Sequence, residues 1–251
     1  MNLIYAEPRS GSTCLFRTLR ESYPDPDHNT TDEPFNFEVR CTEVSEIVNE
    51  YNKEKWKWSS AGFDFIFRKH SKKFLIKHLY YSCSQSDNET LLRHASKTII
   101  LYRKNQIDRI ASSWLSSTYE EIKNKKVWAI WNIDNDDFWS IERPPLTYDF
   151  IKSQLDSIDD KFLPPIKEVS KNTDFSYFLV SYEDLYTDKN KIKEICDYLE
   201  VKLDTDSCNN YFSKNKKMTN LEQKKKLIPN LQEVEKSFNY SFPAWFLDME
   251  K

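Results

Sequence analysis

A doubly wound α/β fold, with a mainly parallel central sheet flanked by helices, is the class the sequence predicts, and three observations predict it. Four short apolar runs, 3–6, 74–81, 98–102 and 177–180, have the make-up and length of buried strands. Segments of helical periodicity separate them, and strands alternating with helices imply parallel pairing. Two of the runs, one ending before Pro8 and one at Arg103, pass through a polar turn into a helix. Ligands of open α/β sheets bind at such carboxyl ends.

The first run, Leu3 to Ala6, meets the turn Pro8-Arg9-Ser10-Gly11-Ser12-Thr13 and then a helix over Cys14 to Glu21. Gly11 and Gly62 are the only glycines in the chain, so the one in this turn marks a place that needs positive φ or close backbone approach. Tyr23 to Phe37, broken by Pro24, Pro26 and Pro34, reads as irregular and exposed. Val44, Ile47, Val48 and Tyr51 recur at helical spacing and predict an amphipathic helix. The run from Phe74 to Tyr81 predicts a strand, Asn88 to Ala95 a short helix and Thr98 to Tyr102 the next strand.

Asn105 is placed to cap a long helix whose stripe is Ile107, Ile110, Ala111, Trp114 and Leu115. Periodicity is lost over 119–146, where Trp128, Trp131 and Trp139 lie; these suit either stacking on sugar rings or a core. Tyr148, Ile151, Leu155 and Ile158 restore a helix, which Pro164 and Pro165 are expected to interrupt. Tyr177 to Val180 predicts the fourth strand, followed by Ser181 to Tyr186 and a helix with Ile192, Ile195, Cys196 and Leu199 on one side. The lysine-rich stretch 214–226 reads as a solvated loop and helix.

At 251 residues without a linker-like segment, the chain is expected to form a single domain over 1–251. Its net charge of −3, with both signs interspersed, lacks the basic field of a general nucleic-acid binder. The five cysteines are odd in number, widely spaced and without a C-x-x-C pair, which argues against a disulfide framework or zinc site and for a reducing compartment. The four histidines share no ligand spacing, so no metal site is expected. No apolar run reaches membrane-spanning length and no charged-then-apolar leader precedes the first strand, so the expectation is a soluble, cytoplasmic protein.

The turn at Pro8 to Thr13 has two readings from its residues alone: a turn with an N-cap, or a phosphate cradle. For the cradle, a helix starting near Ser12 leaves its first amides facing the turn, where the helix dipole favours negative charge. Arg9 adds a forked cation, and Ser10, Ser12 and Thr13 add hydroxyls. The pattern is not the nucleotide-triphosphate loop, for no G-x-x-x-x-G-K-[ST] occurs. A second anion turn follows the third strand: Arg103 at its end and Ser112 about two turns into the next helix can grip one phosphate from two sides.

P-R-S-G-S-T after an N-terminal strand resembles the 5′-phosphosulfate loop of sulfotransferases that use 3′-phosphoadenosine 5′-phosphosulfate (PAPS), especially the bacterial carbohydrate type with its P-loop-like fold. Tyr102-Arg103-Lys104-Asn105 with Ser112 resembles their 3′-phosphate segment, and Ser181-Tyr182-Glu183-Asp184-Leu185 their strand-end Y-E-D-L. The resemblance implies that Arg9, Ser10, Gly11, Ser12, Thr13 and Cys14 hold the 5′ end of the donor and that Arg103 and Ser112 hold the 3′-phosphate. The family's commoner spacing falls on Lys104, which stays a second candidate. Tyr182 would reach the adenine, or else serve as a structural aromatic. Lys214, Lys216 and Lys217 are weak counterparts of a further nucleotide loop.

The implied activity is transfer of a sulfuryl group from PAPS to a hydroxyl of a carbohydrate or other small acceptor, without a metal. Charge building on the leaving phosphate would fall to Arg9 and the loop. The base would be Glu33, in Asp32-Glu33-Pro34-Phe35, where the bacterial carbohydrate type carries an acid followed by an aromatic; His28 is the rival. Lys77 and His78 can approach the transferring group or serve structure alone. A nucleotide-kinase-like phosphotransferase and a non-catalytic nucleotide-binding protein are the alternative functions.

Overall fold

A computed structural model describes residues 1–23, 30–33, 74–123, 138, 140–188, 190–203 and 221–250. They divide into two compact units, one of Met1–Arg103, Ser157–Lys214 and Pro243–Lys251, the other of Lys104–Asp156 and Asn215–Phe242. The amphipathic helix expected over 44–51 lies outside the described residues, as do His28, Trp128, Trp131, Trp139, Lys214, Lys216 and Lys217.

The first unit holds a sheet of five strands, β1 (Asn2–Ala6), β2 (Thr30–Asp32), β3 (Leu75–Leu79), β4 (Lys97–Tyr102) and β5 (Tyr177–Ser181). Their order is β2-β3-β1-β4-β5 and every pair is parallel. The predicted class is therefore the observed one, with β1 central and strands added on either side of it. The added strand is β2, in the segment expected to be irregular. Its three residues pair with Leu75, Ile76 and Lys77, so the backbone ladder of β3 imposes extension where local composition favours turns.

Period-two alternation sorts the strand side chains onto two faces. Ile4, Ala6, Leu75, Leu79, Ile99 and Leu101 lie in one apolar cluster with Leu15, Phe16 and Leu19 of α1 (Ser12–Arg20). On the other face, Tyr5 stacks on Phe162 at 5.5 Å between centroids, and Tyr102 meets Phe246 edge-on at 5.2 Å. Among the described residues, the other α-helices of this unit are α2 (Gln85–His94), α5 (Leu163–Val169), α6 (Tyr182–Thr187), α7 (Asn190–Leu199) and α10 (Ala244–Leu247). Pro164 and Pro165 stand in the first turn of α5, directly after a π-helical turn over Ile158–Phe162, so regular α-helical bonding is interrupted ahead of them.

His78 of β3 is fully buried beneath the sheet face that carries Tyr5, and its Nε2 lies 2.7 Å from Asn88 Oδ1. The Asn88 amide nitrogen donates to the Tyr80 carbonyl, so its oxygen is the acceptor and the imidazole donates. Burial pushes His78 down to about 4 from 6.5, and the Asn88 bond acts in the opposite direction. Between those values the unfolded chain takes up a proton that the folded chain refuses. This contribution is thus complete above pH 6.5 and is lost as the pH falls toward about 4. Its size is about 3 kcal/mol. His78→Gln is expected to narrow the gap between urea midpoints at neutral and mildly acid pH; an unchanged gap would assign the acid sensitivity to other groups.

The second unit is built on α3 (Gln106–Lys123), α4 (Tyr148–Ser157), α8 (Leu221–Lys225) and α9 (Leu231–Ser237). The predicted stripe of α3, Ile107, Ile110, Ala111 and Leu115, packs with Phe138, Leu146, Ile228 and Leu231. Asn105 caps α3 as expected, its Oδ1 accepting from the Asp108 N–H at 2.9 Å. No helix among the described residues is long and apolar enough to cross a membrane.

Candidate functional site

After Ala6 the chain leaves β1 through Glu7 and Pro8. Arg9 sits in the left-handed region at φ 64°, and Gly11 does so at φ 79°. These two inversions turn the backbone so that α1 begins at Ser12, with the Gly11 carbonyl accepting from the Leu15 N–H at 3.0 Å. The loop is tied internally by Ser10 Oγ, which donates to the Glu7 carbonyl at 2.6 Å. Ser10 is thereby a buried structural member of the turn. No described side chain caps α1, so the first-turn amides are left for a ligand or solvent. The donor set is suited to an anion: a helix N-terminus, a left-handed arginine and hydroxyls at Ser12 and Thr13.

Glycine at position 11 is required twice. Its φ is unfavourable for any L side chain, and a Cβ there would meet Tyr182 Cδ2 at 2.7 Å. Gly11→Ala is expected to lower stability by at least about 1 kcal/mol, the cost of the left-handed backbone alone, which chemical denaturation checks.

Arg103, the first residue beyond β4, is 3% exposed and converges on the same loop. Its Nη1 donates to the Arg9 carbonyl at 3.1 Å, and its backbone N–H donates to Glu7 Oε2 at 2.9 Å. Its guanidinium carbon lies 4.4 Å from the centre of the Tyr182 ring, and its Nε is 3.8 Å from Glu183 Oε1. Lys104 is exposed. Tyr182 thus packs over both Gly11 and Arg103, and Tyr186 follows at 4.5 Å between ring centroids. Cys14 is bound to Tyr186 through its thiol, which burial pushes up. Its side chain therefore serves packing and only its amide faces the helix start.

Glu33 meets this loop through Lys77. The Lys77 ammonium, 1% exposed, lies 2.6 Å from Glu33 Oε1, 2.7 Å from Asp32 Oδ1 and 2.7 Å from Thr13 Oγ1. Thr13 Oγ1 accepts a hydrogen bond from this ammonium, and the two carboxylates face it as ion pairs. The register of β2 on β3 causes this: Asp32 pairs with Lys77, and the next residue, Glu33, donates its N–H to the Lys77 carbonyl at 2.9 Å. Glu33 is itself left-handed, at φ 49°, a conformation that holds only where its surroundings fix it. His78, the neighbour of Lys77, points to the opposite face and is bonded to Asn88.

In the second unit, Ser112 Oγ donates to the Asp108 carbonyl at 3.0 Å and accepts from Lys224 Nζ at 2.5 Å. Lys224 also donates to Asp108 Oδ1 in a short contact and to the Asp108 carbonyl at 2.9 Å. Lys224 is 1% exposed, which corrects the expectation of a fully solvated lysine-rich stretch. A desolvated ammonium is held here because a buried carboxylate faces it.

The family model for the sulfotransferase domain matches residues 2–241. The chain belongs to the sulfotransferase family. Among solved structures, this sulfotransferase is similar to the "Sulfotransferase Domain from the Synechococcus PCC 7002 Olefin Synthase", at 15% identity and a TM-score of 0.42 over 97% of this chain and 95% of that one. It is likewise similar to the "Sulfotransferase Domain from the Curacin Biosynthetic Pathway", at 14% identity and a TM-score of 0.39 over 97% of this chain and 92% of that one. No curated protein matches the chain significantly.

Of the residues singled out from the sequence, Arg9, Ser10, Gly11, Ser12, Thr13, Cys14, Glu33, Arg103 and Tyr182 all fall in the first unit of this sulfotransferase, and Ser112 falls in the second. Direct contacts link Glu33 to Thr13 through Lys77, and Arg103 to Arg9 and Tyr182. Asp32, Glu183, Glu7 and Lys224 were not foreseen as members of these contacts. Only the strand register places Asp32 against Lys77, and Glu7 carries no signal beyond its position before the loop.

Proposed function

We propose that this sulfotransferase moves the sulfuryl group of PAPS to a hydroxyl of a carbohydrate or other small acceptor, and that both units act as one functional domain, which a family model spanning 2–241 supports. The observation that carries the reading is the contact of Arg103 with the phosphate-type loop: Arg103 Nη1 bonds to the Arg9 carbonyl, so the cation suited to one phosphate is anchored on the backbone of the loop suited to the other. The amides opening α1, with Arg9, Ser12 and Thr13, would take the 5′-phosphosulfate; Arg103 would take the 3′-phosphate. Ser112 is proposed as a further donor contact on the strength of its sequence motif. Tyr182, stacked on Arg103, would border the nucleoside.

In the transfer, the acceptor oxygen forms a bond to sulfur as the bond from sulfur to the 5′-phosphate oxygen breaks, and adenosine 3′,5′-bisphosphate leaves. The acceptor proton passes to the Glu33 carboxylate, whose Oε1 lies 2.6 Å from the Lys77 ammonium. Charge gathering on the leaving phosphate is met by Arg9 and the α1 amides, groups fixed before the reaction begins. The scattered cysteines support a reducing, cytoplasmic setting.

The test is a comparison of ligands followed by a search for product. Adenosine 3′,5′-bisphosphate at a hundred times its Kd is expected to stabilise the fold by roughly 2.7 kcal/mol, and ATP with magnesium by much less. Incubation with PAPS and a panel of hydroxyl acceptors should then yield products heavier by one SO3. Equal stabilisation by the two nucleotides would sink the reading.

A further inference from the structure

The phosphate-type loop of this protein opens with a buried carboxylate, an unexpected group beside a place suited to anions. Glu7 has no solvent exposure. Its backbone N–H donates to the Leu101 carbonyl at 3.1 Å, which carries the β1–β4 ladder one residue past the end of β1. The next residue is Pro8, which has no N–H, so the ladder stops there. Arg103 has meanwhile passed the end of β4, and its buried N–H needs an acceptor that β1 no longer supplies. Glu7 Oε2 is that acceptor, at 2.9 Å.

Two further bonds complete a clasp. The Glu7 carbonyl receives Ser10 Oγ at 2.6 Å, and the Arg103 side chain returns to the Arg9 carbonyl at 3.1 Å. Arg103 is therefore held at both ends by one loop, its backbone by the Glu7 side chain and its guanidinium by the Arg9 backbone. A carboxylate suits the first role because it offers only acceptors, and a bond to an ionised acceptor is stronger than a neutral one.

We infer that Glu7 is a positioning residue for recognition of the nucleotide's second phosphate: its carboxylate fixes the Arg103 backbone and so sets Arg103 in register with the loop that receives the 5′ end. The inference rests on the proposed assignment of Arg103 to the 3′-phosphate. It assigns Glu7 no contact with substrate. Its effect is on discrimination between nucleotides with and without the 3′-phosphate.

Titration calorimetry on the full chain with adenosine 3′,5′-bisphosphate and with adenosine 5′-monophosphate measures that discrimination. Glu7→Met is expected to weaken the bisphosphate about tenfold and the monophosphate hardly at all. Glu7→Gln, which keeps an acceptor oxygen at the same reach, should recover most of the ratio. Should Glu7→Met prove insoluble, Glu7→Asp serves instead, since a side chain one methylene shorter no longer reaches the Arg103 N–H. A Glu7→Met or Glu7→Asp protein that keeps the wild-type ratio, or weakens both nucleotides equally, overturns the inference while leaving the donor assignment standing. A wild-type protein that shows no preference for the 3′-phosphate overturns the donor assignment, and the inference with it.

Discussion

Replacing Glu33 by Gln is expected to slow sulfuryl transfer by about 10²- to 10⁴-fold, the range typical of a lost general base, while leaving the affinity for adenosine 3′,5′-bisphosphate close to that of the wild type. The separation of the two effects follows from geometry. Glu33 faces the Pro8–Thr13 loop through Lys77, whose other partners among the described residues are Asp32 and Thr13. A glutamine oxygen can accept from Lys77 as the carboxylate does, so the loop keeps its support. What the amide cannot do is take a proton from an acceptor hydroxyl. The strained left-handed backbone of Glu33, at φ 49°, fits a residue kept for chemistry. Initial rates with labelled donor, set beside nucleotide titration, separate the two quantities. Full activity in Glu33→Gln would remove Glu33 from the role of base and leave His28 as the candidate.

The strands that could be read from the sequence are those with a continuous apolar run, because a strand buried on both faces of a parallel sheet leaves that signature in its own residues. The loop was legible for a related reason: with only two glycines in the chain, the one between a strand and a helix marks a backbone inversion, and Gly11 adopts φ 79°. β2 was not legible. Thr30–Asp32 is extended because β3 lies beside it, and its neighbours Pro24, Pro26 and Pro34 carry the signature of a loop. Everything that depends on β2 was hidden with it, including the meeting of Asp32 and Glu33 on Lys77.

Lys224 illustrates a second kind of blindness. One lysine in a lysine-rich run looks like the others, and only a carboxylate 116 residues away, on Asp108, makes this one a core residue. Tyr182 shows a third. Its motif suggested contact with a base, yet the ring also lies over Gly11, close enough to exclude any side chain there. Motif and packing constrain the same residue, and the sequence displays only the motif.

Lys77→Met is expected to cost about 3 kcal/mol of stability and to abolish measurable transfer. The figure is at the lower end of what breaking a buried ion pair costs, since Asp32 is about a third exposed and water can reach it. Methionine fills much of the space of the lysine stem, so the loss is electrostatic: two carboxylates and the Thr13 hydroxyl are left facing an apolar group. Asp32→Asn in the same chain should then recover part of the loss, because one of the two stranded charges is gone. The coupling between the two substitutions is expected to be about 1–3 kcal/mol in a double-mutant cycle built from urea midpoints. Transfer should not return with it, since Glu33 still lacks the group that orients it. Lys77→Arg is not expected to substitute, because a planar guanidinium cannot direct its donors at three oxygens arranged around one ammonium. Additive effects of Lys77→Met and Asp32→Asn would show that the ammonium does not hold the pair, and the link from the acceptor base to the donor loop would have to be sought elsewhere.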